Sequence, residues 1–385
     1  PPGTGKTHIK IKEEYSKLYE KYGPERGILL THSNVAKREL VDTITSIEKV
    51  KDSVYLKEDE DYFKYRICTM HAYAKHNAGD RREVFDKKSD YEGLCKVATL
   101  LRQKNTAAVA RDPVKYHPFF KCNAEAHGRG KTIYEHWQTA QDPSRSYDPY
   151  TLGMVLKIKE QFEKFKRDNH LQDYPDMLDS YIRKPKVPQV DFLIVDEAQD
   201  CSVPQMDAID RMAEHAKEVI LVGDPNQTIF QFAGADPDFF EKIFAKVKDE
   251  DELKQGLRCS KAINVFAKKI IKPIWEYYGY ERAWLPTDEE GSVQIIPDLF
   301  LSKGLENLKE KIKNTDQSFL FTYRTEKSKQ WLMPFFKREG YKFGQVGSIY
   351  NHVSDAEFQA HVTWPDFLEG KPQPLEQIES YWEYL

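Results

Sequence analysis

Short apolar runs that end in polar loops alternate along this chain with longer stretches of helical spacing. Val190 to Val195 is a short, mostly apolar run suited to a buried parallel strand, and Asp196 and Glu197 follow where that strand ends. A second run, Val219 to Val222, is turned by Gly223 and Asp224, with Gln227 just beyond. Two such runs about thirty residues apart read as neighbouring strands of a doubly wound sheet. A helix is expected from Thr7 to about Tyr22. Residues 151–168 carry Val155, Ile158, Phe162 and Phe165 at helical spacing, so one face is expected to be core. Further on, residues 260–275 form an amphipathic helical pattern. GSVQII, SFLFTY and GYKFGQV read as strands, with a helix from about Glu326 to Arg338 between the last two.

At 385 residues the chain is long enough for two or three domains, each with its own core. No run approaches the roughly 18 apolar residues of a membrane span, and there is no secretory signal. Cys68, Cys95, Cys122, Cys201 and Cys259 lie far apart with no CxxC pair. That argues against a zinc site or a disulfide framework and suits a reducing, cytoplasmic compartment. The net charge of −4 gives no basic signature, although a local basic groove can coexist with an acidic remainder.

The chain opens on PPGTGKT, the second half of a G-x-x-x-x-G-K-[ST] phosphate loop. Gly3, Thr4 and Gly5 allow a tight turn whose amides face phosphate oxygens, and the helix that follows aims its positive end at the same anion. Lys6 suits the β and γ phosphates of ATP, and the Thr7 hydroxyl suits Mg2+. Asp196 suits the metal's outer shell, and Glu197 suits orienting or deprotonating a water. Gln227 suits contact with a γ-phosphate or that water. A chance Gly-Lys-Thr turn and a pair of solvated loop carboxylates are the plain alternatives. The first glycine of the pattern falls one position before Pro1, and the strand that normally leads into such a loop is missing. The chain is therefore expected to be a fragment of a larger reading frame.

Eight segments, in order, resemble the UvrD/Rep family of superfamily 1 DNA helicases. PPGTGKT resembles motif I, LTHSNVAKREL motif Ia, TMHAYA the following TxHxF-type motif, and LQDYPDML the short motif before the acidic strand. DEAQD resembles motif II, GDPNQTIFQFAGAD motif III and LKQGLRCS motif IV; FLFTYRTEKSKQW resembles a later strand–Arg-Thr–helix motif. Motif III departs from the family's Trp-Arg-Gly-Ala, since Phe232-Ala233-Gly234-Ala235 keeps an aromatic and loses the arginine. His32 stands where motif Ia often has an aromatic. No good match to motifs V and VI precedes Leu385, so both ends are expected to be truncated and a complete hydrolysis cycle is not expected of this chain alone.

The resemblance implies an α/β P-loop NTPase with tandem RecA-like parallel-sheet domains and a mostly helical inserted subdomain. The first motor domain would comprise 1–74 and 171–250, the insertion 75–170, a partial second motor domain 251–348, and an unassigned tail 349–385. It implies ATP and Mg2+ as cofactors, with Arg258 reaching the γ-phosphate from the second domain. Single-stranded DNA and duplex junctions are the implied partners, with no membrane and a monomeric or weakly dimeric state. Ser33, Asn34, Thr69 and His71 are candidates for phosphate or sugar contacts, Phe232 and Tyr73 for stacking on bases, and Arg324 for a further DNA contact. His71 reads equally well as a buried histidine, and Tyr73 better as core. By resemblance, the activity would be an ATP-dependent helicase or translocase of 3′ to 5′ polarity. An AAA+-type remodeller and a non-motor nucleotide-binding module remain as alternatives.

Overall fold

In the computed structural model the chain divides into two compact units, Pro1–Ser292 and Val293–Leu385. The described residues are 3–23, 26–47, 50, 66–103, 117–140, 142–228, 234–235, 251–279, 281–295, 302–313, 319–322, 332–336 and 338–339.

The first unit is built on a four-stranded sheet in the order β2-β1-β5-β6, every pair parallel. Its strands are β1 (Gly27–Thr31), β2 (Ile67–Thr69), β5 (Phe192–Val195) and β6 (Glu218–Leu221). Ile28, Leu30, Leu193 and Val195 enter one core, while Leu29, Phe192 and Ile194 enter another. That alternation puts apolar side chains on both faces, so helices must cover both, and this is why the strands read as apolar runs. On one side the cover is Ile11 together with α1 (Lys12–Tyr22) and α2 (Asn34–Thr45). On the other side it is α3 (Met70–Ala78), α8 (Tyr174–Ile182) and α9 (Val203–Ala213). The register aligns Cys68, Leu30, Val195 and Leu221 in one row. The loops after all four strands therefore leave from the same carboxyl edge, where ligands of open α/β sheets collect.

A second core occupies the segment between α3 and α8. The chain runs out through β3 (Glu83–Val84) and returns through β4 (Leu171–Gln172), which pair in parallel. Between them lie α4 (Lys88–Val97), α5 (Pro118–Gly128), α6 (Ile133–Thr139) and α7 (Leu152–Asp168). As the spacing predicts, Val155, Ile158 and Phe162 are buried and Phe165 packs partly against them. Phe85, Phe119, Phe120 and Phe162 meet edge-on or tilted at 4.9 to 5.8 Å, the geometry that aromatic quadrupoles favour. At the root of this segment Lys166 is 1% exposed. Its ammonium lies 3.0 Å from Glu163, 3.1 Å from Asp173 and 2.8 Å from Asp176, so three carboxylates replace its lost water.

Three segments depart from the sequence expectation. Helix geometry begins at Lys6, and the first six residues are wound as a π-helix before α1. Residues 291–295 of GSVQII and 319–322 of SFLFTY are not strands. Apolar content favours a strand only where a neighbouring strand supplies hydrogen-bond partners, and among the described residues none pairs with these. GYKFGQV lies outside the described residues, and of the helix expected over 326–338 the described residues 332–336 and 338 are helical. The second unit has its own small core: Leu308, from α10 (Ser302–Lys313), with Leu332, Phe335 and Phe336. A 2.6 Å ion pair between Lys309 and Glu339 closes it.

Candidate nucleotide site and the adjoining sheet edge

Gly3 and Gly5 both have positive φ, +66° and +80°, a region that L side chains enter only with strain. A β-carbon on Gly5 would sit 2.9 Å from Ile9 Cδ1 and 3.0 Å from Leu257 Cδ1, so the loop is tightly packed as well as tightly turned. The Gly5 carbonyl accepts from the amides of Ile9 and Lys10 at 2.8 and 3.3 Å, which winds the π-turn carrying Lys6 and Thr7. Thr7 Oγ1 donates to Asp196 Oδ2 at 3.0 Å. The two ligands expected to share a cation are thus already together, across 189 residues of sequence.

Asp196 is anchored by its amide, which donates to the Leu30 carbonyl at 2.8 Å, and its side chain is 2% exposed. Burial raises its carboxyl to about 6, with the Glu197 charge adding; the Thr7 hydroxyl, the Glu197 amide and the Lys6 charge pull the other way. A buried carboxylate facing a threonine hydroxyl is a hard oxygen donor set, and it fits Mg2+.

The sign of the stability effect follows. The folded carboxyl titrates above its ordinary 3.8, so Asp196 favours the folded state most at low pH, and that contribution is lost as pH rises through about 6. Asp196→Asn is therefore expected to stabilise the metal-free protein at pH 8, by up to about 3 kcal/mol, and to change it little at pH 4. Thermal melts at both pH values check this. A lower melting temperature for the variant at pH 8 would show that the carboxylate is a net stabiliser.

Glu197 has φ +52°, an uncommon left-handed conformation for a non-glycine residue. Gln199 holds it there, since Nε2 of Gln199 donates to Glu197 Oε2 at 2.8 Å while its Oε1 accepts from the Asp224 amide at 2.9 Å. The Gln199 side chain, 1% exposed, thereby ties the acidic strand end to the loop after β6. Its role was not foreseen in the sequence; a glutamine inside DEAQD is the only signal, and its partner lies 25 residues away. Gln227 closes a 3-10 turn, Pro225–Gln227, and its Nε2 donates to Asp224 Oδ2 at 2.6 Å.

Arg258 is also brought to the loop. The Leu257 amide donates to the Gly3 carbonyl at 2.8 Å, and a β-carbon on Gly3 would lie 3.2 Å from Arg258 Cβ. Arg258 itself is exposed.

Further along the same edge, Thr31 pairs with Thr69, so the ends of β1 and β2 carry Ser33, Asn34, Thr69 and His71 into one neighbourhood. The hydroxyls of Ser33 and Thr69 each cap a helix, accepting from the amides of Ala36 at 3.2 Å and Ala72 at 3.4 Å. Asn34 is exposed. Burial pushes the His71 imidazole down to about 4, with the His32 and His127 charges adding, so it is neutral near pH 7. Its ring meets Tyr174 edge-on at 5.3 Å. Tyr174 is 47% exposed at the first position of α8, behind an Asp173–Asp176 capping box. That exposed aromatic was also unforeseen, although the D-Y-P-D cap that presents it is readable. Tyr73 is buried and packs on Tyr181, so it belongs to the core and is not available for stacking on a base. Phe232 and Arg324 lie outside the described residues.

A parallel sheet with helices on both faces, a glycine-turned phosphate loop and a strand-end carboxylate on the loop's threonine together define a P-loop NTPase fold. Residues 1–248 match the model of the UvrD/REP helicase N-terminal domain, and the chain belongs to that family. It is 24% identical over 290 residues to a probable DNA helicase II homolog of Mycoplasma pneumoniae, covering 71% of this chain and 39% of that protein. It is 22% identical over 288 residues to the ATP-dependent DNA helicase PcrA of Staphylococcus aureus, covering 70% and 37%. With the ATP-dependent DNA helicase Rep of Buchnera aphidicola it shares 24% over 355 residues, covering 83% and 50%. The matched segments thus span half or less of each of these relatives.

Proposed function

We propose that this chain is the ATP-hydrolysing part of a DNA helicase that moves 3′ to 5′ along single strands and opens duplex junctions. The observation that carries this is a continuous carboxyl edge: the Thr7–Asp196 pair at one stretch, and Ser33, Asn34, Thr69 and His71 at the neighbouring strand ends. Nucleotide and DNA would share one rigid sheet, which is how occupancy of one site reaches the other.

In this reading Gly3, Thr4, Gly5 and Lys6 hold the phosphates, and Thr7 with Asp196 holds Mg2+. Bound Mg2+-ATP supplies the phosphoanhydride and the metal charge. Gln199 fixes Oε2 of Glu197, so Oε1 is the oxygen that takes a proton from water. Gln227 orients that water once released from Asp224, and Arg258 neutralises developing charge. On the DNA edge the neutral His71 acts as a hydrogen-bond partner and not as a cation. Tyr174 and Phe232 offer faces on which any base can stack. Contacts of this kind do not depend on sequence, which suits a monomeric or weakly dimeric translocase in the cytoplasm. Among the described residues no helix is long and apolar enough to cross a membrane.

Steady-state ATP hydrolysis by the full-length protein, with and without single-stranded oligonucleotides, tests this. Stimulation by single strands supports the proposal. Turnover that requires a hexamer would favour a remodelling ATPase, and absence of turnover a non-motor binding module. Phe232→Ala is expected to weaken single-strand binding by roughly 1–3 kcal/mol with basal turnover held. The salt slope of binding should stay unchanged, since no phosphate contact is removed. A large fall in melting temperature with unchanged affinity per folded molecule would instead make Phe232 a core residue.

A further inference from the structure

The helical insertion touches the nucleotide half of the molecule at a second place besides its β3–β4 root. Helix α5 ends at Gly128 in a tight turn. The Gly130 amide donates to the His127 carbonyl at 2.8 Å and the Lys131 amide to the Ala126 carbonyl at 2.9 Å. His127 Nε2 donates to Asp179 Oδ1 on α8 at 3.1 Å. Gly128 is buried against Gly234, and the approach is backbone to backbone. A β-carbon on Gly234 would lie 2.3 Å from Gly128 Cα and 2.4 Å from its carbonyl carbon. A β-carbon on Gly130 would lie 3.0 Å from Val203 Cγ1.

These contacts close a ring. Ala235 forms an antiparallel bridge with Ser202, and Val203 is the next residue. The turn of the insertion therefore sits where Ser202 and Val203 meet Gly234 and Ala235. On the nucleotide side Gln199 ties the acidic strand end to the loop after β6, at Glu197 and at the Asp224 amide. Glycine at 128 and 234 permits an approach that any side chain at 234 would block, and Gly234 also has φ +99°.

We propose that residues 127–130 of the insertion are positioning residues for the nucleotide site, holding Ser202–Val203 and Gly234–Ala235 against each other through Gly128–Gly234 and Gly130–Val203. The consequence for turnover rests on the ATPase reading above; the mechanical contact does not. Whatever loads the insertion then reaches the Glu197–Asp200 turn through Val203 and Ser202, and the loop after β6 through Gln199. The effect is geometric, because displacement of about 1 Å between reacting groups is enough to slow chemistry severely.

The test uses the 385-residue chain for hydrogen exchange and the full-length protein for turnover. Gly130→Asn keeps a residue type that tolerates positive φ but adds a β-carbon against Val203. It should speed exchange of the peptide containing Ala235 by roughly tenfold or more. It should also lower kcat by about tenfold, with KM for ATP within about twofold, because the phosphate loop is untouched. Val203→Ala in the same chain removes the clashing methyl and should restore both. Gly234→Ala works from the other side and should speed exchange in residues 126–131. If neither variant alters exchange in the opposite segment, the contact is passive packing and the proposal falls. It falls equally if exchange changes while kcat per folded molecule stays constant. A wild-type protein without turnover would count against the ATPase reading, and the exchange measurements would then decide the contact by themselves.

Discussion

Lys6→Ala is expected to abolish ATP turnover, by at least roughly 10²–10³-fold, in a protein that still folds. Lys6 is half-buried at the start of the π-turn, and no core cluster depends on its side chain. The loop's shape comes from positive φ at Gly3 and Gly5 and from the Gly5 carbonyl, all of which the substitution leaves alone. If Lys6 holds the phosphates as proposed, what disappears is a positive charge that stabilises the developing phosphate charge. A second consequence is measurable without nucleotide. The Lys6 charge is one of the influences lowering the Asp196 carboxyl, so the variant's Asp196 should titrate higher than in the wild type. Turnover within about tenfold of wild type would show that this loop is not the catalytic nucleotide site.

The parts of this site that were readable in the sequence are those set by local pattern. Val190 to Val195 reads as a strand because it is mostly apolar and short, the strand itself runs over Phe192–Val195, and Asp196 and Glu197 fall at its end because polar residues resume there. The helix Leu152–Asp168 is readable because Val155, Ile158 and Phe162 repeat on one face. Its capping threonine, Thr151, accepts from the Met154 amide at 3.3 Å. What was not readable depends on distant partners. Lys166 looks like a solvated lysine in that helix and is buried, since Glu163, Asp173 and Asp176 converge on it only in the fold. Gln199 matters through Asp224, and Gly234 through Gly128; neither pairing follows from periodicity. Exposure of Tyr174 is likewise a tertiary fact. Residues 291–295 and 319–322 make the same point in reverse, because apolar composition gives no strand where, among the described residues, no neighbour pairs with it.

Glu197→Gln is expected to separate binding from chemistry. Glutamine has the same length, and its side-chain oxygen can still accept the hydrogen bond that Gln199 Nε2 now gives to Glu197 Oε2 at 2.8 Å. The backbone at φ +52° is equally strained for either residue, so the fold cost is small. Asp196 and Thr7 are untouched, and Asp196 is relieved of a neighbouring negative charge that helps raise its carboxyl. Metal and nucleotide affinity should therefore hold or improve slightly, and the metal-free variant should melt no lower than wild type at pH 8. If Glu197 takes a proton from water as proposed, only that step is lost, which typically removes about 10²–10⁴ in rate. Equilibrium binding of a nucleotide analogue, measured beside single-turnover hydrolysis, decides the assignment. Tight binding with stalled hydrolysis places Glu197 on the water. Parallel loss of both would place it on the metal or in the scaffold, and the carboxylate that handles water would have to be sought elsewhere on the same sheet edge.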